Sequence, residues 1–377
     1  MDLITFYTTA YSTYKETKIT GRYLTQLDIE PILKKYEAAF KISHIGNSVL
    51  QKPIHTIYIG NGKKRILMWS QMHGNESTTT KAVLDLLCFI QNNEAFRTYI
   101  INNFTLCIIP MLNPDGAAAY TRVNSNEVDL NRDAQNLSQP ESRLLRNVFN
   151  EFEPHFCFNL HDQRTIFSAG KSRHPATVSF LTPAEDKERK VTANRRKSME
   201  VIAAIDKILQ KFIPKQVGRY DDGFNLNCVG DTFQSMGVPT ILFESGHFPD
   251  DYEREETRKY IAYALVAAIN YIGETEITGK KYHGYFEIPE NDKLFYDVIL
   301  RKFPVKTKNG IEYKDIAVFF KETLLNDKIE FIPSVEHIEP HLHFYGHKEL
   351  TMSKIEVAPV EIDRLNNSYL TEFLKKI

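Results

Sequence analysis

The feature that most constrains this chain is an alternation of apolar extended runs with helical patterns, repeated from about residue 40 to residue 275. Extended runs fall at 40–45, 54–59, 65–70, 104–111, 155–160, 177–181 and 238–243. Helical periodicity falls at 77–91, 138–151, 187–211 and 252–271. Such alternation predicts an α/β domain whose sheet is mostly parallel and carries helices on both faces.

The flanks differ in character. Residues 1–39 are expected to be a partly helical segment, around 27–39, packed on the α/β domain. After about 275 come short extended segments, Pro304, Pro333, Pro340 and a final helical stretch near 360–376, so 276–377 reads as a small α+β region. A chain of 377 residues exceeds the roughly 250–300 at which a single core stops growing, which fits one large unit and a smaller one.

The formal net charge of −1 leaves no electrostatic footprint for nucleic acid. The basic stretch 187–197 is interrupted by Glu188 and by 191–194, and reads as a solvated helix face. The N-terminus lacks a basic start followed by an apolar core, and no apolar run approaches the roughly 18 residues that span a bilayer. Cys88, Cys107, Cys157 and Cys228 form no C-x-x-C, and three of them sit in apolar runs, as free thiols do in a reducing compartment. The expectation is a cytoplasmic protein with no membrane partner.

Within this frame, His73-Gly74-Asn75-Glu76 follows the 65–70 run and opens the 77–91 helix. A catalytic zinc ion takes imidazole nitrogen and carboxylate oxygen from protein and keeps one position for water. H-x-x-E across a strand-to-helix turn lets both side chains converge, and Gly74 permits the tight turn. Alone, the tetrapeptide is short enough to arise by chance. Three further features give it weight: Asn113-Pro114-Asp115-Gly116 followed by Arg122 and Asp129-Leu130-Asn131-Arg132; His161 at the end of one apolar run; and Glu244 at the end of another. Ligand sites in open α/β sheets lie at the carboxyl ends of strands. A charged glutamate at the end of an apolar run is costly unless paired or metal-linked.

The ordered set H-x-x-E, N-P-D-G, R, D-L-N-R, L-H and E resembles the zinc carboxypeptidase (metallocarboxypeptidase) family over about residues 40–275. The resemblance implies a mixed, mostly parallel sheet with helices on both sides. It implies one Zn2+ per chain, held by His73, Glu76 and His161, with Glu244 as the general base. Arg122 matches the arginine that stabilises the oxyanion, Asn131 and Arg132 the pair that grips the substrate's terminal carboxylate, and Asp129 the carboxylate that orients the first histidine. Tyr220 is the nearest match to the family's active-site tyrosine, the other reading being a loop tyrosine. Asp231 falls near the position that shapes the side-chain pocket; it either favours a basic substrate side chain or caps the helix that follows.

The expected activity is hydrolysis of an amide bond next to a free carboxylate, releasing a C-terminal amino acid from a peptide. The partner is then a peptide or N-acyl amino acid with a free carboxylate. The alternatives are an N-acyl amino acid amidohydrolase of the aspartoacylase type, an amidase of peptidoglycan-type peptides, and an inert binding module on the same fold. Arg164 and Arg173, in a polar loop after His161, are either substrate-selecting or surface residues. His337, His341, His343 and His347 gather near the C-terminus; His341 and His343 are expected on one strand face, exposed rather than metal-binding.

Overall fold

The structure, a computed structural model, describes residues 3–352 and 357–376. Its first nine strands are β1 (Lys41–Asn47), β2 (Pro53–Ile59), β3 (Lys64–Ser70), β4 (Phe104–Ile109), β5 (Phe156–Asp162), β6 (Phe167–Ala169), β7 (Val178–Leu181), β8 (Val217–Arg219) and β9 (Thr240–Ser245). Eight of them form one sheet in the order β1-β2-β4-β3-β5-β9-β7-β8. The pairings β4/β3, β3/β5, β5/β9 and β7/β8 are parallel, while β1/β2, β2/β4 and β9/β7 are antiparallel. This is the mixed sheet that the resemblance implied, parallel at its centre.

The helices are α1 (Leu3–Tyr14), α2 (Gln26–Tyr36), α3 (Thr78–Asn92), α4 (Glu94–Asn103), α5 (Pro114–Ala119), α6 (Pro140–Phe152), α7 (Ala193–Leu209), α8 (Val229–Ser235), α9 (Glu255–Glu274) and α10 (Asn367–Lys376). Side chains alternate across a strand, and β3 divides accordingly. Ile66 and Met68 enter the layer that holds Val83 of α3 and Leu265 of α9. Leu67 and Trp69 enter the opposite layer, with Leu145 of α6 and Phe233 of α8. Both layers are closely packed: Phe149 stacks on Phe233 at 3.9 Å, and Trp69 meets the same ring edge-on at 5.4 Å. Among the described residues, no helix is long and apolar enough to cross a membrane.

Three helices lie outside the sequence reading: the short α5, which follows directly on the Asn113 turn, and two longer ones. In α1, Tyr7, Tyr11 and Tyr14 form a buried stripe at helical spacing, but tyrosine and threonine are weak helix formers and mask it. The second is α4, capped by Asn93, whose side chain accepts from the Phe96 amide at 2.8 Å. The helix expected at 187–211 begins at Ala193, because Thr192 accepts from the Arg195 amide and caps it there. Within it, Arg195 is buried and paired with Asp222 at 2.6 Å.

Beyond α9, β10 (Asn291–Lys293) pairs with β6. The strands β11 (Phe295–Thr307), β12 (Gly310–Leu325), β13 (Lys328–Glu339), β14 (Tyr345–Thr351) and β15 (Val360–Glu361) form a second sheet with its own core of Val298, Leu300, Ile316 and Leu370. Its strands are long where short ones were expected. Pro333 reads as a break in sequence, yet it sits inside β13, an edge strand that tolerates a missing amide donor. His341 and His343 are not on a strand; they occupy the connection between β13 and β14.

The first segment is fastened by a buried ion pair. Arg258 of α9 meets both oxygens of Asp85 on α3 at 2.6 and 2.8 Å, and Asp85 also accepts from Tyr11 Oη and the Glu16 amide. Removing one partner of such a pair strands a buried charge. Asp85→Ala is expected to cost about 3–5 kcal/mol of stability in chemical denaturation. A loss under about 1 kcal/mol would show that this residue does not hold the segment.

Candidate active site

The site starts from backbone packing. A Cβ on Gly74 would lie 1.9 Å from the carbonyl carbon of Gly116, so the H-x-x-E turn rests directly on the backbone of α5. Asn113 joins the two motifs: its side chain accepts from the Gly116 amide at 2.8 Å and donates to the Met72 carbonyl at 3.1 Å. Ahead of the turn, Gln71 adopts a left-handed φ of 50°. Its side chain donates to the Leu24 and Gly74 carbonyls, both at 2.9 Å, and accepts from Thr80. These bonds hold a conformation that costs a non-glycine residue about 1–3 kcal/mol.

The turn brings His73 and Glu76 to the end of β5. Nδ1 of His73 lies 2.8 Å from one Glu76 oxygen, and Nδ1 of His161 lies 2.8 Å from the other. The two nitrogens are 3.1 Å apart. His73 Nε2 lies 3.0 Å from Asp129 Oδ1. With a metal ion bound, a proton on Nε2 directed at that carboxylate would leave the Nδ1 lone pair facing Glu76 and His161. Two imidazole nitrogens and a carboxylate, all within 4.8 Å of one another, are a donor set that fits zinc. Burial pushes the Glu76 carboxyl up, and His73 and His161 outweigh it to hold the group well below the usual range. Among the described residues, this is the trio that could hold a metal ion; the C-terminal histidines form no such group.

Glu244 is the direct register partner of His161 across β5 and β9, so both side chains leave the same sheet face. Its Oε2 is buried and has no hydrogen-bond partner among the described residues. Burial, then Glu76 and Asp162, push this carboxyl well above the ordinary range. Asp162 turns away to accept from the Thr78 amide at 3.0 Å, placing its charge at the N-terminus of α3.

Asp129 organises the opposite bank. Besides His73, it accepts from Arg122 Nε at 3.0 Å and from the Asn131 amide at 2.9 Å. Arg122 also reaches Glu76 at 3.4 Å. The Asn131 side chain accepts from the Val229 amide, and Arg132 donates to the Asn131 carbonyl and the Cys228 sulfur. His73, Glu76, His161, Glu244, Arg122, Asn131 and Arg132 line one cleft of about 600 Å3, the size of a small-ligand site.

Tyr220 lines the same cleft and packs edge-on against Phe167 at 5.2 Å. Burial, then Glu244 and Glu76, push its phenol far up, so it stays protonated. Asp231 does not line the cleft. It sits in the first turn of α8, accepts from the Asn225 amide at 3.2 Å, and is pushed by burial up to about 6. The cleft contains residues that the sequence reading missed: Arg22, Asn75, Arg254 and, from the second sheet, Phe320, Lys321 and Glu322. Arg22 and Glu322 pair at 3.0 Å across the length of the chain, and no local pattern links them.

The fold and this donor set define a metallohydrolase-like centre. Residues 28–231, more than half of the chain, match the family model described as Zinc carboxypeptidase, and the chain belongs to that family. Carboxypeptidase 2 of Trichophyton rubrum is 24% identical over 157 residues, covering 42% of this chain and 27% of that protein. Gamma-D-glutamyl-L-diamino acid endopeptidase 1 of Lysinibacillus sphaericus is 39% identical over 95 residues, covering 22% and 24%. The chain thus spans about a quarter of the length of these curated relatives. A metallo-carboxypeptidase from Burkholderia cenocepacia shares the fold, with a TM-score of 0.53 over 65% of this chain and 68% of that one at 17% identity.

Carboxylates that orient a histidine ligand contribute about 10–100-fold to metal affinity. Asp129→Ala is therefore expected to weaken metal binding by about that factor in competition with a chelator. Unchanged affinity would mean that His73 holds its orientation without Asp129.

Proposed function

We propose that the chain is a zinc-dependent carboxypeptidase, which hydrolyses the amide bond joining a C-terminal amino acid to the rest of a peptide. The observation that carries this reading is the meeting of three elements at one sheet edge. They are the His73, Glu76 and His161 trio, the unpaired Glu244 oxygen on the adjacent strand, and Arg122, Asn131 and Arg132 on the facing bank. When bound, zinc supplies Lewis acidity there, polarising the carbonyl and lowering the pKa of water toward ~7.

The chain's own residues do the rest. Glu244 takes the proton of the attacking water and passes it to the departing amine. Arg122, fixed by Asp129, faces the oxyanion as it develops, a role that contributes roughly 2–4 kcal/mol in comparable sites. The planar fork of Arg132 suits a carboxylate, and the Asn131 amide stands beside it. Tyr220, kept protonated, donates a hydrogen bond to the substrate.

A second reading is favoured by the segment 39% identical to the Lysinibacillus protein: hydrolysis of a γ-D-glutamyl amide to a diamino acid. An N-acyl amino acid amidohydrolase would use the same bank. Amidating the terminal carboxylate of a good substrate separates a carboxypeptidase from an endopeptidase. The expected cost is roughly tenfold or more in kcat/KM, and undiminished turnover of the amide would favour the endopeptidase.

Two variants test the roles. His161→Ala should fall from about one zinc per chain to near none by elemental analysis, since a catalytic site uses about three protein ligands. Glu244→Gln should keep its zinc while kcat drops about 10²-fold or more. Zinc loss in that variant would make Glu244 a ligand, and near-normal turnover would make it structural.

A further inference from the structure

We propose, resting on the carboxypeptidase reading, that Arg164 and Lys321 form a subsite for a carboxylate on the acyl part of the substrate. The cleft has two banks. Asn131 and Arg132 belong to the side that carries α6 and α8, since Leu130 packs there with Val229 and Phe233. The other bank stands on the helix layer of α3 and α9. Arg22 gives its carbonyl to Ser77 at the start of α3, and Tyr252, just ahead of α9, packs on Phe320 of β12 at 5.3 Å. A substrate whose terminal carboxylate lies on the first bank, with its scissile carbonyl at the metal trio, places its acyl part against the second.

That second bank is held in place before substrate arrives. Glu322 accepts from Arg22 at 3.0 Å and from Tyr120 Oη at 2.5 Å. The Phe320 amide donates to Asp297 at 2.7 Å, and Tyr252 Oη donates to the same carboxylate at 3.0 Å. Beyond Val318, β12 pairs with β13 alone, so the hairpin extends past β11 as a two-stranded wall.

The charges on this wall do not cancel. Its acids are occupied: Glu322 by Arg22 and Tyr120, and Asp162 by the Thr78 amide, Ser245 and, at 3.8 Å, Arg254. Asp297 is taken by Tyr252 and the Phe320 amide. Apart from Arg132 on the facing bank, two exposed cations on the cleft remain without an ion-pair partner among the described residues, Arg164 and Lys321. Both line the same cleft: the Arg164 guanidinium lies 5.4 Å over the ring of Phe319, which precedes Lys321 by two residues, roughly 7 Å along one face of β12. Two like charges on one wall favour an anion in the cleft, and a guanidinium together with an ammonium suits a carboxylate.

Two matched ligand pairs with one common C-terminal residue test this. The first sets N-acetyl-α-glutamyl against N-acetyl-α-glutaminyl; the second sets γ-linked glutamyl with a free α-carboxylate against its α-amide. Binding to the metal-loaded Glu244→Gln protein is read by calorimetry, and kcat/KM is read on the wild type. In at least one pair the carboxylate member should be favoured about tenfold or more, and the pair that responds identifies the linkage. In the Arg164→Gln, Lys321→Gln double variant that ratio should fall to near one, with an unchanged thermal midpoint. Ratios near one in both wild-type pairs, a preference that survives the double variant, or binding of no member would each overturn the subsite. Amidation of the terminal carboxylate is scored separately: if it costs nothing while the acyl preference persists, the carboxypeptidase reading falls and the subsite stands.

Discussion

The carboxylate of Asp129 is the interaction on which the site depends. With two oxygens it holds His73 Nε2, Arg122 Nε and the Asn131 amide. One side chain therefore sets the orientation of a candidate metal ligand, of the Arg122 guanidinium, and of the turn that carries Asn131 and Arg132. A shift of Asp129 would misplace all three together, and positioning errors of about 1 Å are costly in catalysis. Four hydrogen bonds, these three and the one from Arg122 on to Glu76, make the bank one connected network rather than separate contributions.

Much of this was legible in sequence because its parts are local. The strand-end positions of His161 and Glu244 follow from apolar runs that stop at those residues, and the His73 and Glu76 turn follows from a strand running into a helix. Asn113-Pro114-Asp115-Gly116 was legible as a pattern, but its purpose was not. A Cβ on Gly116 would meet Asn113 Nδ2 and the Val123 carbonyl oxygen, both at 2.5 Å, and only that packing explains why the turn carries a glycine there. The wall formed by Phe320, Lys321 and Glu322 was not legible at all. Those residues lie in a strand whose exposed alternation resembles any surface hairpin, and their partner Arg22 is near the other end of the chain. The tyrosine stripe of α1 escaped for a different reason, since its helix is stabilised by burial against Phe89 and Tyr263 rather than by propensity.

The two sheets divide the work. The eight-stranded sheet carries the candidate metal trio, Glu244 and the bank of Arg122, Asn131 and Arg132 at strand ends and adjoining turns, where a buried core fixes them. The second sheet supplies one wall through a hairpin with little core beneath it, tied down by Glu322 and the Asp297 pair of bonds. The candidate metal trio thus stands on one sheet and this wall of the cleft on another with a core of its own.

The Arg22–Glu322 pair also bears on how the protein is made. A chain leaves the ribosome from its N-terminus, and domains fold as units while it emerges. Every candidate metal ligand and the base lie within the first 244 residues, ahead of the whole second sheet. During synthesis there is consequently an interval in which the edge carrying the candidate metal trio can assemble while the wall of Phe320, Lys321 and Glu322 does not yet exist. In the complete fold Arg22 is buried and paired with Glu322, so this pair can form only once the second sheet has been made.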